Sequence, residues 1–341
     1  MSTTPIETSF EPEVPQEAPV DAEAKKGSQW TGSLRQLLAL ASLIVIIVVF
    51  AFLSPNFLTM TNITTILLAT TVTGIMALGT TFVIITGGID LSIGTAMIFS
   101  GVMAGVFMTY WGWPIWLGII GTLIIGMLIG FVNGFNVAVL NIPPFIATLA
   151  MMMVTTGLAL VVSGTKPIYF NDSPGFSDIM NAPIIPGTRI PVGILIFIFM
   201  MIFAWFVLSK TLLGRYDFAI GSNEQATALS GVNVVWWKIA IYTFSGIFIG
   251  LAGVLQSSRL NSAQPSGGAG LELQAIAAVV IGGTSLSGGR GSITGTVIGA
   301  MIMAVLTNGL RIISVPQEWQ QVVVGLVILL AVYFDQKRLD D

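Results

Sequence analysis

The chain has 341 residues, 54% of them hydrophobic and only 9% charged, with a mean hydropathy of +0.91; a water-soluble domain carries about a quarter of its residues as charges, so this composition belongs to an integral membrane protein. Cysteine and histidine are both absent, which excludes thiolate and imidazole chemistry, Cys/His zinc sites, disulfides and every Ser-His or Cys-His nucleophile pair. Little room is left for an enzyme, and a net charge of −3 carries no signal for a nucleic-acid partner.

Met1 to Gln29 is rich in Pro, Glu, Ser and Thr, holds the acids Glu7, Glu11, Glu13, Glu17, Asp21 and Glu23, and runs into Lys25 and Lys26. Such a stretch cannot bury enough apolar surface to fold, and it lacks the basic start and short apolar core of a signal peptide. Residues 1–33 therefore read as a disordered tail, and 34–336 as one all-α transmembrane domain. Within it, apolar segments suited to a hydrocarbon core of about 30 Å recur. They run over Leu37–Phe52, Thr64–Thr86, Ile93–Thr109, Ile115–Leu140, Phe145–Val162, Pro191–Leu208 and Ile239–Leu255, then a short Leu273–Ile281, then Ile293–Ile313 and Val322–Phe334. About ten crossings are predicted, an even number that puts both ends on one side.

Basic residues set the orientation, because cytoplasmic loops are enriched in Lys and Arg. Lys25, Lys26 and Arg35 place the amino end inside, Lys210, Arg215 and Lys238 the loop 209–238, and Lys337 with Arg338 the carboxyl end. Lys166, Arg189, Arg259 and Arg311 then face outward, against the bias. They read either as ordinary solvated loop charges or as receptors for the carboxylates of a soluble docking protein.

Three polar interruptions stand out. Thr86-Gly87-Gly88-Ile89-Asp90-Leu91-Ser92-Ile93-Gly94 breaks the run between the second and third segments, and Ile281-Gly282-Gly283-Thr284-Ser285-Leu286-Ser287 has the same Gly-Gly-x-x-Leu-Ser core. An Asn-Gly pair follows each, Asn133-Gly134 and Asn308-Gly309, so the two halves resemble a degenerate internal repeat. Glycine-interrupted segments in corresponding halves point to a transport pathway, or they serve close helix packing. Asp90 is an intramembrane acid, which is costly and usually functional. The third interruption, 209–238, contains Ser222 followed three residues later by Gln225, a capping box, and Gly231, which supplies a left-handed stop. A helix of about two turns is predicted there; it is too short to be stable alone and gains stability by docking.

Several stretches together carry a resemblance: Gly87-Gly88-Ile89-Asp90-Leu91-Ser92-Ile93-Gly94, Pro144-Phe145-Ile146-Ala147-Thr148-Leu149, Leu213-Gly214-Arg215 with Gly221-x-Asn223-Glu224-x-Ala226, Leu229-Ser230-Gly231-Val232-Asn233, and Glu272-Leu273-Gln274-Ala275-Ile276-Ala277-Ala278 through Gly282-Gly283-Thr284-Ser285-Leu286. In order and spacing, over about residues 35 to 335, they resemble the ribose-type permeases of bacterial ABC importers, in the branched-chain amino acid/sugar permease superfamily. The resemblance implies a homodimer in the inner membrane lipid, a cytoplasmic ATPase with two nucleotide-binding domains that holds ATP and Mg, and a periplasmic sugar-binding protein. It implies no cofactor in this chain.

It further implies that Asn223 to Gly231 is a coupling helix, with Arg215, Asn223, Glu224, Ala226, Leu229, Ser230 and Gly231 as contacts to the ATPase. The pathway candidates are Gly87, Gly88, Asp90, Ser92, Asn133, Phe145, Gln274, Thr284, Ser285 and Asn308. Many relatives carry Asp where this chain has Gln274, which removes a charge near the pathway and leaves the transported sugar or polyol open. Lys166, Arg259 and Arg311 are the docking candidates. Ser163-Gly164-Thr165-Lys166 lacks the spacing of a phosphate-binding loop, as fits a subunit that hydrolyses no ATP. A secondary transporter driven by protons or sodium is the alternative; Asp90 and Glu272 are its obvious titratable groups.

Overall fold

A computed structural model describes residues 22–187 and 190–340, with side chains over 37–187 and 190–333. Most of the tail expected to be disordered, Arg189, and the side chains of Lys25, Lys26, Arg35, Lys337 and Arg338 lie outside the described residues.

The described residues are helical almost throughout, as a membrane requires, because a helix satisfies its own backbone polar groups where no water is present. Its helices are α1 (Ala22–Leu53), α2 (Met60–Ile85), α3 (Ile93–Gly105), α4 (Ile115–Ala138), α5 (Pro144–Ser163), α6 (Asp178–Asn181), α7 (Val192–Lys210), α8 (Leu212–Ser222), α9 (Glu224–Leu229), α10 (Val234–Leu260), α11 (Leu271–Ile281), α12 (Ile293–Ile312) and α13 (Gln317–Asp340). A π-helical turn, Val106–Tyr110, extends α3. Among the described residues seven helices are long and apolar enough to span a membrane, and Leu37–Leu53, Leu271–Ile281 and Gln317–Tyr333 are shorter apolar helical stretches. Every predicted crossing thus corresponds to an apolar helix.

Burial separates inner from outer helices. Of the most apolar windows, those of α2 and α3 with its π turn are 89% and 83% buried, whereas those of α4, α5 and α7 are 28%, 22% and 33% buried. The poorly buried helices turn Phe131, Phe145, Phe199 and Trp205 outward, as a lipid-facing or partner-facing surface does. Glycine brings α4 and α10 into backbone contact: a Cβ at Gly126 would lie 2.6 Å from Gly250 N and one at Gly134 2.9 Å from Ile239 Cα. Gly126, Gly130 and Gly134 recur every four residues and form one stripe on α4, the small-residue seam of membrane helix pairs.

The loops before α6 and after α10 join at the end of α10 that carries Arg259. Two short antiparallel strands, β1 (Ile168–Tyr169) and β2 (Ser262–Ala263), pair there with Ile168 opposite Ala263. Ser258 Oγ donates to Phe176 O at 2.7 Å and accepts from Met180 N, so the polar stretches containing Lys166 and Arg259 form one structured cap.

Candidate translocation and coupling sites

A cavity of about 730 Å³ lies between α2, α10, α11, α12 and α13, within the ~300–1,000 Å³ of small-molecule sites. From α2 it takes Thr65 and Thr73, and from α10 Gln256 and Arg259. The N-terminal turn of α11 contributes Gln274, α12 contributes Thr307, Asn308 and Arg311, and α13 contributes Gln317, Gln320 and Gln321. Amides, hydroxyls and two guanidinium groups therefore form its polar wall, which includes no Asp or Glu among the described residues. Asn308 Oδ1 is buried without a hydrogen-bond partner among the described residues. Such a wall suits a polyhydroxyl solute, whose hydroxyls both donate and accept.

Of the residues expected on a pathway, Gln274 and Asn308 are on this wall. The two glycine breaks are elsewhere. At the first, Gly87 ends α2 with φ +80°, Gly87 N–H bonding Ile84 O and Gly88 N–H bonding Val83 O. At the second, Gly283 ends α11 with φ +92°, Gly283 N–H bonding Val280 O and Thr284 N–H bonding Val279 O. Both are Schellman endings, in which a left-handed glycine lets the chain reverse and satisfy orphan carbonyls.

Asp90 is buried; its Oδ1 accepts from Ser92 N at 2.8 Å and Ser92 Oγ at 2.6 Å, and Asn133 Nδ2 donates to Ser92 Oγ at 2.9 Å. Asp90, Ser92 and Asn133 are thus one hydrogen-bonded cluster tying the first break to α4. Thr284 and Ser285 are buried in the second break. Phe145 stands alone, exposed at the start of α5.

The loop helix α9 sits at the opposite end of α10 from the cavity. Ser222 was expected to cap it; the cap is Asn223, whose Oδ1 accepts from Ala226 N at 2.8 Å. The reason is local: Ser222 is still helical as the last residue of α8, while Asn223 has the extended φ of −161° that a cap needs. Gly231, at φ +84°, provides the expected left-handed stop. The helix is six residues long, in keeping with the expected length of about two turns. Arg215, Asn223, Glu224, Ala226, Ser230 and Gly231 are all exposed, and Leu229 is 90% exposed, a large apolar side chain standing in solvent at the tip. Glu224 forms a 2.6 Å ion pair with Lys238 of α10.

Arg259 and Arg311 both reach the cavity, close enough for each charge to act on the other, and neither has an ion-pair partner among the described residues. Lys166 is exposed in the β1-side loop, off the cavity wall. Sequence reading missed the wall residues Thr65, Gln256 and Thr307, contributed singly by α2, α10 and α12, and Gln317, Gln320 and Gln321 of α13, whose helical spacing was the available signal. It also missed Asp217 of α8, fully buried with neither carboxylate oxygen hydrogen-bonded among the described residues. Burial pushes its carboxyl well above the usual carboxylate range.

Residues 62–332 match the family described as branched-chain amino acid transport system / permease component. The ribose import permease protein RbsC of Escherichia coli (strain K12) is 42% identical over 308 residues, covering 88% of this chain and 93% of its own length. The ribose import permease protein RbsC of Bacillus subtilis (strain 168) is 40% identical over 92% of this chain and 97% of its own. The xylose transport system permease protein XylH of Escherichia coli (strain K12) is 34% identical over 89% of this chain and 92% of its own. No solved structure matches the chain significantly. The chain belongs to this permease family. It is an integral membrane permease.

Proposed function

We propose that the chain is the membrane-spanning half of an ATP-driven importer for a monosaccharide or related polyol. It works as a homodimer in the bacterial inner membrane with both termini cytoplasmic. A cytoplasmic ATPase with two nucleotide-binding domains holds ATP and Mg, and a periplasmic binding protein delivers the sugar. One arrangement carries this reading: an exposed, capped α9 ending in Leu229 at one end of α10, and a polar cavity at the other. Similarity to ribose and xylose permeases supports the substrate class, and the cavity wall of amides and hydroxyls suits it.

In this reading the loaded binding protein docks on the Arg259 and Arg311 side, with Lys166 beside it, and sugar enters the cavity past Gln274 and Asn308. ATP binding closes the ATPase, whose surface receives Leu229 and the exposed polar groups of α9. The stroke reaches the helices and rocks the paired subunits to open the cavity inward. Solute binding there is weak and depends on hydrogen bonds; selection rests with the binding protein. An ion-gradient mechanism would need titratable groups along the route, and the cavity wall has no acid among the described residues.

Proteoliposomes holding this chain, its ATPase and its binding protein test the reading. Uptake of ribose, xylose or another monosaccharide should require ATP and the binding protein, and should be indifferent to a proton or sodium gradient. Gradient-driven uptake without ATP would overturn it.

A further inference from the structure

Three backbone segments that are far apart in sequence converge next to α9 with no side chain between them. A Cβ at Gly221, the penultimate residue of α8, would collide with Ile85 O at the end of α2 and lie 2.5 Å from Gly289 N. Gly289 N–H itself donates to Ile85 O at 2.8 Å. A Cβ at Gly288 would come within 2.9 Å of Gly87 N and 3.0 Å of Gly221 O, and one at Gly289 within 2.7 Å of Ser222 Oγ. The end of α8, the first glycine break and the loop after the second break are therefore in direct contact at one point. Asn223, the cap of α9, is the next residue of the chain.

We propose that this glycine junction is the receiver of the coupling stroke on the permease side, and that Gly221 is the positioning residue that fixes it. The proposal rests on α9 being the coupling helix. Close-packed interiors transmit strain, and a contact between backbones has no rotamers in which to absorb a displacement. A push on α9 is passed through Gly221 and Ser222 to Ile85 and Gly289. From Ile85 the route follows α2, which carries Thr73 and Met76 on the cavity wall; from the second break it follows α11, which carries Gln274, and α12, which carries Asn308. The two breaks are the points at which those helices can turn relative to their neighbours. This gives the repeat of Gly-Gly-x-x-Leu-Ser a shared role at one junction, distinct from lining a path.

Two measurements test it. In Gly221→Ala the complex with the ATPase should assemble and keep its basal ATP hydrolysis, while stimulation by the loaded binding protein and sugar uptake each fall at least about ten-fold, the size of a lost allosteric coupling. A variant that assembles and transports at the normal rate overturns the proposal. Since the wild-type chain has no cysteine, spin labels at Ser222→Cys with Ser287→Cys report the junction directly, whether or not Gly221→Ala folds. Their separation should hold across nucleotide-free, ATP-bound and vanadate-trapped states, while a second pair at Thr65→Cys and Gln317→Cys changes. A change at the junction of more than about 2 Å, the scale of helix shifts at packed interfaces, overturns it. The coupling-helix reading fails separately: it falls if Leu229→Asp leaves ATPase binding intact.

Discussion

Asp90 and Ser285 occupy matching positions of the two glycine breaks, and each accepts the amide N–H two residues on, from Ser92 at 2.8 Å and from Ser287 at 3.4 Å. The same side-chain turn is made once with a carboxylate and once with a hydroxyl. The carboxylate adds a second bond, to Ser92 Oγ at 2.6 Å, and through Ser92 reaches Asn133 on α4.

All of those bonds use Asp90 Oδ1, and Oδ2 has no partner among the described residues. Asp90→Asn can therefore keep the acceptor and should retain partial ATP-driven uptake in proteoliposomes. Asp90→Leu strands the Ser92 amide and hydroxyl, at a cost of about 1 to 3 kcal/mol for each buried unsatisfied group, and should lower the melting temperature and abolish uptake. Loss of all uptake in a folded Asp90→Asn protein would instead assign the proton a role.

The Glu224–Lys238 pair fastens the first turn of α9 to the N-terminal part of α10. Glu224 is half exposed, so the pair contributes only about 0.2 to 1 kcal/mol to stability. Its expected effect is on coupling: Glu224→Arg should leave the protein folded and lower uptake per ATP hydrolysed, and the charge swap Glu224→Lys with Lys238→Glu should restore part of it. Asn223→Ala, which removes the cap, should cost about 0.5 to 2 kcal/mol of local helix stability, read as faster amide exchange over residues 224–229.

Arg259 and Arg311 face the cavity with no neutralising acid among the described residues. Arg259→Glu or Arg311→Glu should weaken binding of the binding protein, with the largest effect at low ionic strength and little above about 0.5 M salt, where screening shortens the reach of exposed charges to a few ångströms. Titration by surface plasmon resonance at two salt concentrations measures this. Unchanged binding at low salt in both variants leaves them as helix-end charges of the cavity wall with no part in docking.

Asp217 has a raised folded-state pKa, so the folded protein holds its proton to higher pH than the unfolded chain. The associated stability is complete below the unfolded value and is lost as pH rises toward the folded one. The melting temperature in detergent should fall as pH rises above the ordinary carboxylate range of about 4, and Asp217→Asn, which is neutral at every pH, should flatten that slope. An identical slope in the variant would locate the titration elsewhere.

Composition alone determined that the chain spans a membrane, and hydropathy located every apolar helix, because each apolar run must find lipid or protein whichever neighbours it has. The left-handed stop at Gly231 was equally legible, since the signal spans a few residues. The cap slipped by one residue to Asn223 because α8 extends through Ser222, a fact about the preceding helix that no local pattern contains. The cavity was legible only in part. Gln274 and Asn308 fall on its wall, but Thr65, Gln256 and Gln320 join them from three other helices, and only helix packing brings such separated residues together. The glycine breaks were visible as interruptions; that they meet each other and Gly221, away from the cavity, was decided by tertiary structure. A backbone contact between distant segments leaves glycine in the sequence but does not say which glycine it faces.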